Sequence, residues 1–280
     1  MKLDYAAPPA DLADYISAFY LFEAELDQLE DIERADIGQF RVVLDGSAEV
    51  HFVDGRVEPF HPISLFGPRM AASRIIARGP KLRMFGCGLL PAGWGMTVRK
   101  HADQCADHVF AASDLVTMDT EGLLTELGAL RTLPEMVDLI SERARRFYDA
   151  APTSPLWFIR ACDQWLESAL APDIADLETA TGLSRRQIER LCRQHYGAPP
   201  KFLVRKYRAL RAANAIAHGQ SDWQELIGSA YYDQSHFIRE IKEFTGMTPS
   251  AIRDVKSPLS MLAYGRAQLA GSVGPLVSET

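Results

Sequence analysis

Apolar residues recur along the chain with two different periods, and the places where the period changes outline its organisation. Leu12, Tyr15, Ile16, Phe19 and Tyr20 fall at helical spacing and predict a helix over residues 9–24. The acidic run at 23–36 reads as a solvated loop or helix face. From Phe40 the period shortens. Residues 40–46 and 49–55 are apolar or alternating segments, each closed by Asp-Gly, a hairpin-type signal. Segments 63–67, 73–79 and 82–91 continue the rhythm, so 40–98 is the expected β region, a small sandwich or barrel. Beyond Val98 the helical period returns. Pro134 suits a helix start, and Met136, Ile140, Ala144 and Phe147 share one face behind it. Residues 150–155 form the best linker, and Leu156, Ile159, Leu166 and Leu170 open a second helical region. The tail beyond Ser257 is rich in Gly, Ser and Ala and is expected to be loosely ordered. The expected division is therefore 1–150, 155–256 and a flexible 257–280.

The region 173–253 repeats one pattern: a short apolar helix, a tight turn, and a helix with exposed polar residues. In the first copy, 174–181 leads through Gly182 to 185–195. Gly182 supplies the positive φ that the turn needs, and Ser184 with Gln187 makes a capping box. Ile188, Leu191, Cys192 and His195 fall inward, leaving Arg185, Arg186, Glu189, Arg190 and Arg193 outside. In the second copy, Trp223, Leu226, Ile227 and Ala230 mark the first helix, and Asp233 caps the next. Phe237, Ile241 and Phe244 fall inward there, with Gln234, Ser235, His236, Arg239 and Lys242 outside. An amphipathic helix over 199–217 joins the copies. A helix–turn–helix unit lays its second helix in the major groove of DNA, and two units on one duplex face would enter grooves about one turn (roughly 34 Å) apart. Arginine can address guanine O6 and N7, and glutamate can accept from cytosine N4.

Net charge is −7, which at first sight argues against a polyanion binder. The balance is uneven: residues 1–154 hold 15 Lys/Arg and 24 Asp/Glu, whereas 155–256 hold 14 and 12. Within 184–211 nine basic residues face one acid, a local +8. Screening acts over roughly 8 Å at physiological salt, so this stripe can act on a phosphate backbone independently of the acidic half.

Residues 234–242, followed by 245–250 and Arg253, resemble the C-terminal signature of AraC/XylS-type regulators, and the resemblance extends over about 155–254. It implies an α+β N-terminal domain with a small cupin-like β-barrel or sandwich, then an all-α domain of two helix–turn–helix units joined by a linker helix. It also implies base contacts from Arg186, Glu189 and Arg190 in the first unit and from Gln234, Ser235 and Arg239 in the second, with His236 on the backbone. The implied partners are double-stranded promoter or operator DNA, RNA polymerase, a small-molecule effector at the N-terminal domain, and a second copy in a homodimer. Glu178, Leu226 and Ala230 depart from the pattern and bear on the angle of each helix pair.

Other chemistry is sparse. His101, Cys105 and His108 stand at i, i+4 and i+7, a spacing that on a helix would align possible zinc ligands; a half-buried helix face explains it more simply, and no metal or cofactor is assigned. Cys87, Cys105, Cys162 and Cys192 are scattered with no CxxC pair, as suits reduced thiols in a cytoplasm. No run of about 18 apolar residues suggests a membrane span, and the N-terminus lacks signal-peptide character. The nucleophile-elbow and phosphate-loop motifs are missing, so an enzyme is not expected. The rival reading is a ligand-binding or enzymatic β-barrel fused to a helical interaction module that does not bind DNA.

Overall fold

The computed structural model describes residues 1–25, 28–98, 100–149, 154–219, 231–254 and 265–280. Its N-terminal body is one antiparallel sheet of eight strands: β1 (Lys2–Ala6), β2 (Ile16–Glu25), β3 (Gln28–Glu33), β4 (Gly38–His51), β5 (Val57–Pro59), β6 (Ile63–Phe66), β7 (Ser73–Leu89) and β8 (Val109–Ala111). The main path runs β1-β2-β7-β4-β6-β8, with β3 also on β7 and β5 also on β4. The long β7 organises the sheet, pairing through its first half with β3, through its second half with β2, and along most of its length with β4.

Two expectations fail here, each for its own physical reason. The predicted helix over 9–24 is a single 3-10 turn (Ala10–Leu12) followed by β2. Seven consecutive residues of β2 are buried, because Phe19 and Leu21 enter one core while Tyr20, Phe22 and Ala24 enter the other. A strand covered on both faces shows no alternation, and its apolar run can pass for helical spacing. The acidic run is β3 rather than a solvated segment, and its carboxylates are satisfied by distant arginines: Glu33 takes Arg41 and Arg69, the latter at 2.8 Å. The sheet accordingly reaches beyond 40–98 on both sides. Of the two Asp-Gly pairs, Gly55 turns the β4–β5 hairpin, whereas Gly46 sits at an irregularity within β4.

Helices α1 (Pro91–Thr97), α2 (Ala112–Leu115), α3 (Thr120–Ala129) and α4 (Leu133–Asp149) follow. Leu123, Leu127, Met136 and Ile140 cover the sheet face that carries Phe40, Leu65, Phe85 and Cys87. The C-terminal body contains α5 (Leu156–Ser168), α6 (Ile174–Thr181), α7 (Arg185–Tyr196), α8 (Pro200–Ala217), α9 (Gln234–Thr245) and α10 (Pro249–Arg253). Residues 150–153 of the linker and the segment bearing Trp223, Leu226, Ile227 and Ala230 lie outside the described residues. The tail departs from the flexible segment expected over 257–280. Its described part forms a 3-10 turn (Arg266–Leu269) and a short helix α11 (Pro275–Ser278). Arg266 donates to both carboxylate oxygens of Asp36, at 3.1 and 3.0 Å, and the Leu276 N–H donates to Glu167. A buried ion pair and a backbone bond order a composition that by itself suggests disorder. No helix of the described residues is long and apolar enough to cross a membrane.

Candidate nucleic-acid interface and adjoining cavity

Helix α7 starts as its capping box requires, with the Ser184 N–H donating to Gln187 Oε1 at 2.9 Å. Gly182, in the left-handed region at φ 66°, ends α6 and makes the turn. Ile188, Cys192 and His195 are buried, while Arg185, Arg186, Glu189, Arg190 and Arg193 are exposed. Helix α9 follows the same plan. Asp233 accepts from the His236 N–H at 2.7 Å, and Phe237, Ile241 and Phe244 are wholly buried. Gln234, Ser235, Arg239 and Lys242 are exposed. His236 is half-buried, its ring facing Tyr231 and lying 3.9 Å from Glu240, so less of it is open than of its neighbours. The sequence reading passed over Tyr232, which directly precedes the α9 cap and is 95 % exposed. An aromatic so open beside a recognition-type helix is the signal that could have found it.

The two helices also end alike, each pressed against the N-terminal body. Gly197 (φ 86°) caps α7 in a space bounded by Met70, Pro68 and the Ala102 carbonyl. Gly246 (φ 74°) caps α9 beside Ile32 and Ala72, and a Cβ there would strike Ile32. Two backbone bonds fix the second contact: Ala35 N–H to the Phe244 carbonyl at 2.7 Å, and Ala72 N–H to the Glu243 carbonyl at 3.1 Å. The C-terminal ends are thus docked, and the N-terminal ends, where groove-reading residues belong, face solvent.

The basic stripe is smaller than its sequence suggests. Arg205 donates to Glu240 and Glu243, each at 2.6 Å, and Arg208 pairs with the buried Glu240. Arg211 donates to the carbonyls of Leu166, Glu167 and Ala169. Lys206 is 2 % exposed and donates to the Asp36 carbonyl at 2.6 Å; burial lowers its pKa to about 8. Four of the nine cations therefore brace α8 and are unavailable to phosphate, because a stripe counted in sequence takes no account of which helix face is buried. At Asp36, burial opposes ionisation, but the charges of Arg266 and Arg34 outweigh it and hold the carboxyl below its ordinary value.

The candidate zinc ligands are not brought together. Residues 102–104 form only a 3-10 turn, and His108 is engaged by Glu58 at 2.9 Å and by Arg56. Cys105 is buried, and no group of three or more possible metal ligands occurs among the described residues.

Between the sheet and its helical cover lies a cavity of about 950 Å³. Phe40, Leu65 and Leu89 line the sheet side; Leu123, Ile140 and Phe147 line the helix side. Lys100, Arg143, Arg146 and Asp119 also border it; Arg143 is paired with Glu126 at 2.6 Å and Arg146 with Glu142. At one end the wall is α7 itself, through Gln194 and His195. His195 is 5 % exposed, and neither ring nitrogen has a hydrogen-bond partner among the described residues. Burial, with smaller effects of His101 and Arg190, lowers its pKa to about 4, so the ring is neutral near pH 7.

A helix–turn–helix domain family model matches residues 177–254, spanning both capped helices and the helix between them. The chain carries a helix–turn–helix domain. The whole chain is similar in fold to ToxT from Vibrio cholerae, with a TM-score of 0.50 at 9 % identity over 91 % of this chain and 98 % of that one. A second ToxT structure, from Vibrio cholerae O395 and bound to (E)-4-(8-methylnaphthalen-1-yl)but-3-enoic acid, aligns with the same score and identity over 91 % and 99 % of the two chains. No curated protein sequence matches.

Proposed function

We propose that the protein is a transcription regulator, and not an enzyme, whose α7 and α9 read successive major grooves of one duplex. Arg185, Arg186, Glu189, Arg190 and Arg193 address the first groove; Gln234, Ser235, Arg239 and Lys242 address the second, with His236 and Tyr232 at its edge. The observation that carries this reading is the polarity of docking. Both helices are held by their C-terminal ends, and both present open N-terminal ends with charged or amide side chains. The rival interaction module has no comparable need for two such ends exposed together.

The cavity is the effector site, and its occupant is an apolar acid. Its hydrocarbon walls, with Lys100 at the border, suit an anion with an apolar body. The acid in the second ToxT structure is of that class. The regulator acts as a homodimer, each copy offering two recognition helices.

Selection of bound fragments from a pool of random duplexes tests the DNA reading. The expected result is a recovered site with two half-sites for each copy, bound with an affinity that falls steeply with salt as counterions are released. Recovery of no preferred sequence, or an affinity indifferent to salt, would contradict it.

A further inference from the structure

We infer that His195 is the cavity's head-group receptor, so that a bound acid touches the first recognition helix directly. This rests on the reading of the cavity as the effector site and adds the residue that reports occupancy.

The imidazole is sealed from solvent, yet both of its nitrogens lack partners among the described residues. A buried polar group left without a hydrogen bond is costly, and such groups in a folded protein call for a reason. Packing does not supply one here. His195 lies on the inward face of α7, where Ile188 and Cys192 do the apolar packing, and an aliphatic residue would serve that purpose better. What sets it apart is that it borders the cavity. Gly95 also lines the cavity and faces the ring; a Cβ at that position would stand 3.2 Å from His195 Nδ1. A larger residue at that position would crowd the nitrogen. Lys100 and His101 border the same cavity, and His101 is close enough to influence the His195 ring electrostatically. An anionic head at this end would accept a bond from the imidazole N–H, while its apolar body lay between Phe40, Leu65 and Ile140.

The consequence concerns α7. His195 is one turn and a residue beyond Arg190, on the same rigid helix. A ligand held there bears on the helix from behind while its front faces DNA. The second recognition helix contributes nothing to the lining of the cavity, so the effect is confined to the first half-site.

The test uses the full chain with two probes, dodecanoate and 4-(naphthalen-1-yl)butanoate. Binding is followed by calorimetry and by the melting temperature. For H195F the expected result is a loss of acid affinity of at least about tenfold, the scale of a hydrogen bond to a charged group, with no loss of melting temperature in the ligand-free protein. H195Q keeps a donor and is expected to stay within about threefold of the unsubstituted chain. If the phenyl ring proves too large to fold, H195L replaces it. An H195F protein that binds both acids as tightly as the unsubstituted chain overturns the inference while leaving the cavity reading intact. So does one whose only change is a lower ligand-free melting temperature, the mark of a structural histidine. Failure of the unsubstituted chain to bind either acid removes the cavity reading and the inference together.

Discussion

The two recognition helices share caps, length and inward apolar faces, yet they are held from behind in different ways. Helix α7 rests on an apolar cluster and on the wall of an open cavity, with an imidazole unpartnered among the described residues between them. Helix α9 is fixed by charge: Glu240 is 1 % exposed and receives Arg205 and Arg208 from α8, and two backbone bonds tie the C-terminal end to residues 35 and 72. Apolar contacts next to a void can be re-formed at small cost when the void fills. A buried ion-pair cluster with directed hydrogen bonds has one good geometry. The difference makes α7 the adjustable reader and α9 the fixed one.

The largest expected effect comes from breaking the fixed side. Glu240→Ala removes the buried carboxylate that Arg205 and Arg208 share and is expected to cost about 3–5 kcal/mol, measured by denaturant unfolding. A loss below about 1 kcal/mol would mean that the charge cluster does not hold α9. The paired substitutions Arg190→Ala and Arg239→Ala come next. Each is expected to weaken binding to the preferred site by about 1–3 kcal/mol and to relax base choice in one half-site only, the first for Arg190 and the second for Arg239. Equal weakening on every sequence would make them phosphate contacts instead.

A smaller effect sharpens the picture behind α7. Tyr196 donates to Asp163 at 2.7 Å, and burial pushes the Asp163 carboxyl up to about 7 despite that bond. In the unfolded chain this carboxyl ionises at its ordinary value, near 4, so the unfolded state binds fewer protons between the two values. Stability from this group is therefore complete below about pH 4 and is lost as pH rises toward 7. Asp163→Asn cannot ionise and should still accept from Tyr196. It is expected to exceed the unsubstituted chain by roughly 1–2 kcal/mol at pH 8, with the two converging near pH 4. Parallel stability curves at all pH values would place the proton elsewhere.

The C-terminal helices were legible because each has one buried face and a local start and stop signal. Ser184, Gln187, Asp233, Gly182 and Gly246 act within a turn of their own positions, and local signals survive in a linear reading. The N-terminal half yielded less. Burial on both faces erased the alternation of β2, and the acidic run finds partners at Arg41 and Arg69 through Glu33 and at Arg266 through Asp36, which no spacing rule connects. The linker helix was correctly seen as amphipathic, but its cations were credited to DNA when Lys206 and Arg208 face inward. His195 was placed on the inward face; that its nitrogens would meet a void rather than a neighbour depends on the sheet, on Gly95 and on the helical cover together.

The account depends most directly on two helices reading one duplex at a fixed separation. Its decisive measurement is the affinity of the full chain for a selected site before and after insertion of five base pairs between the half-sites. Half a turn of rotation moves the second groove to the far side of the duplex, so affinity is expected to fall toward that of a single half-site and to recover partly when ten base pairs are inserted. Affinity unchanged by the five-base-pair insertion would contradict the account, since helices held by a rigid α8 could not both still reach their grooves.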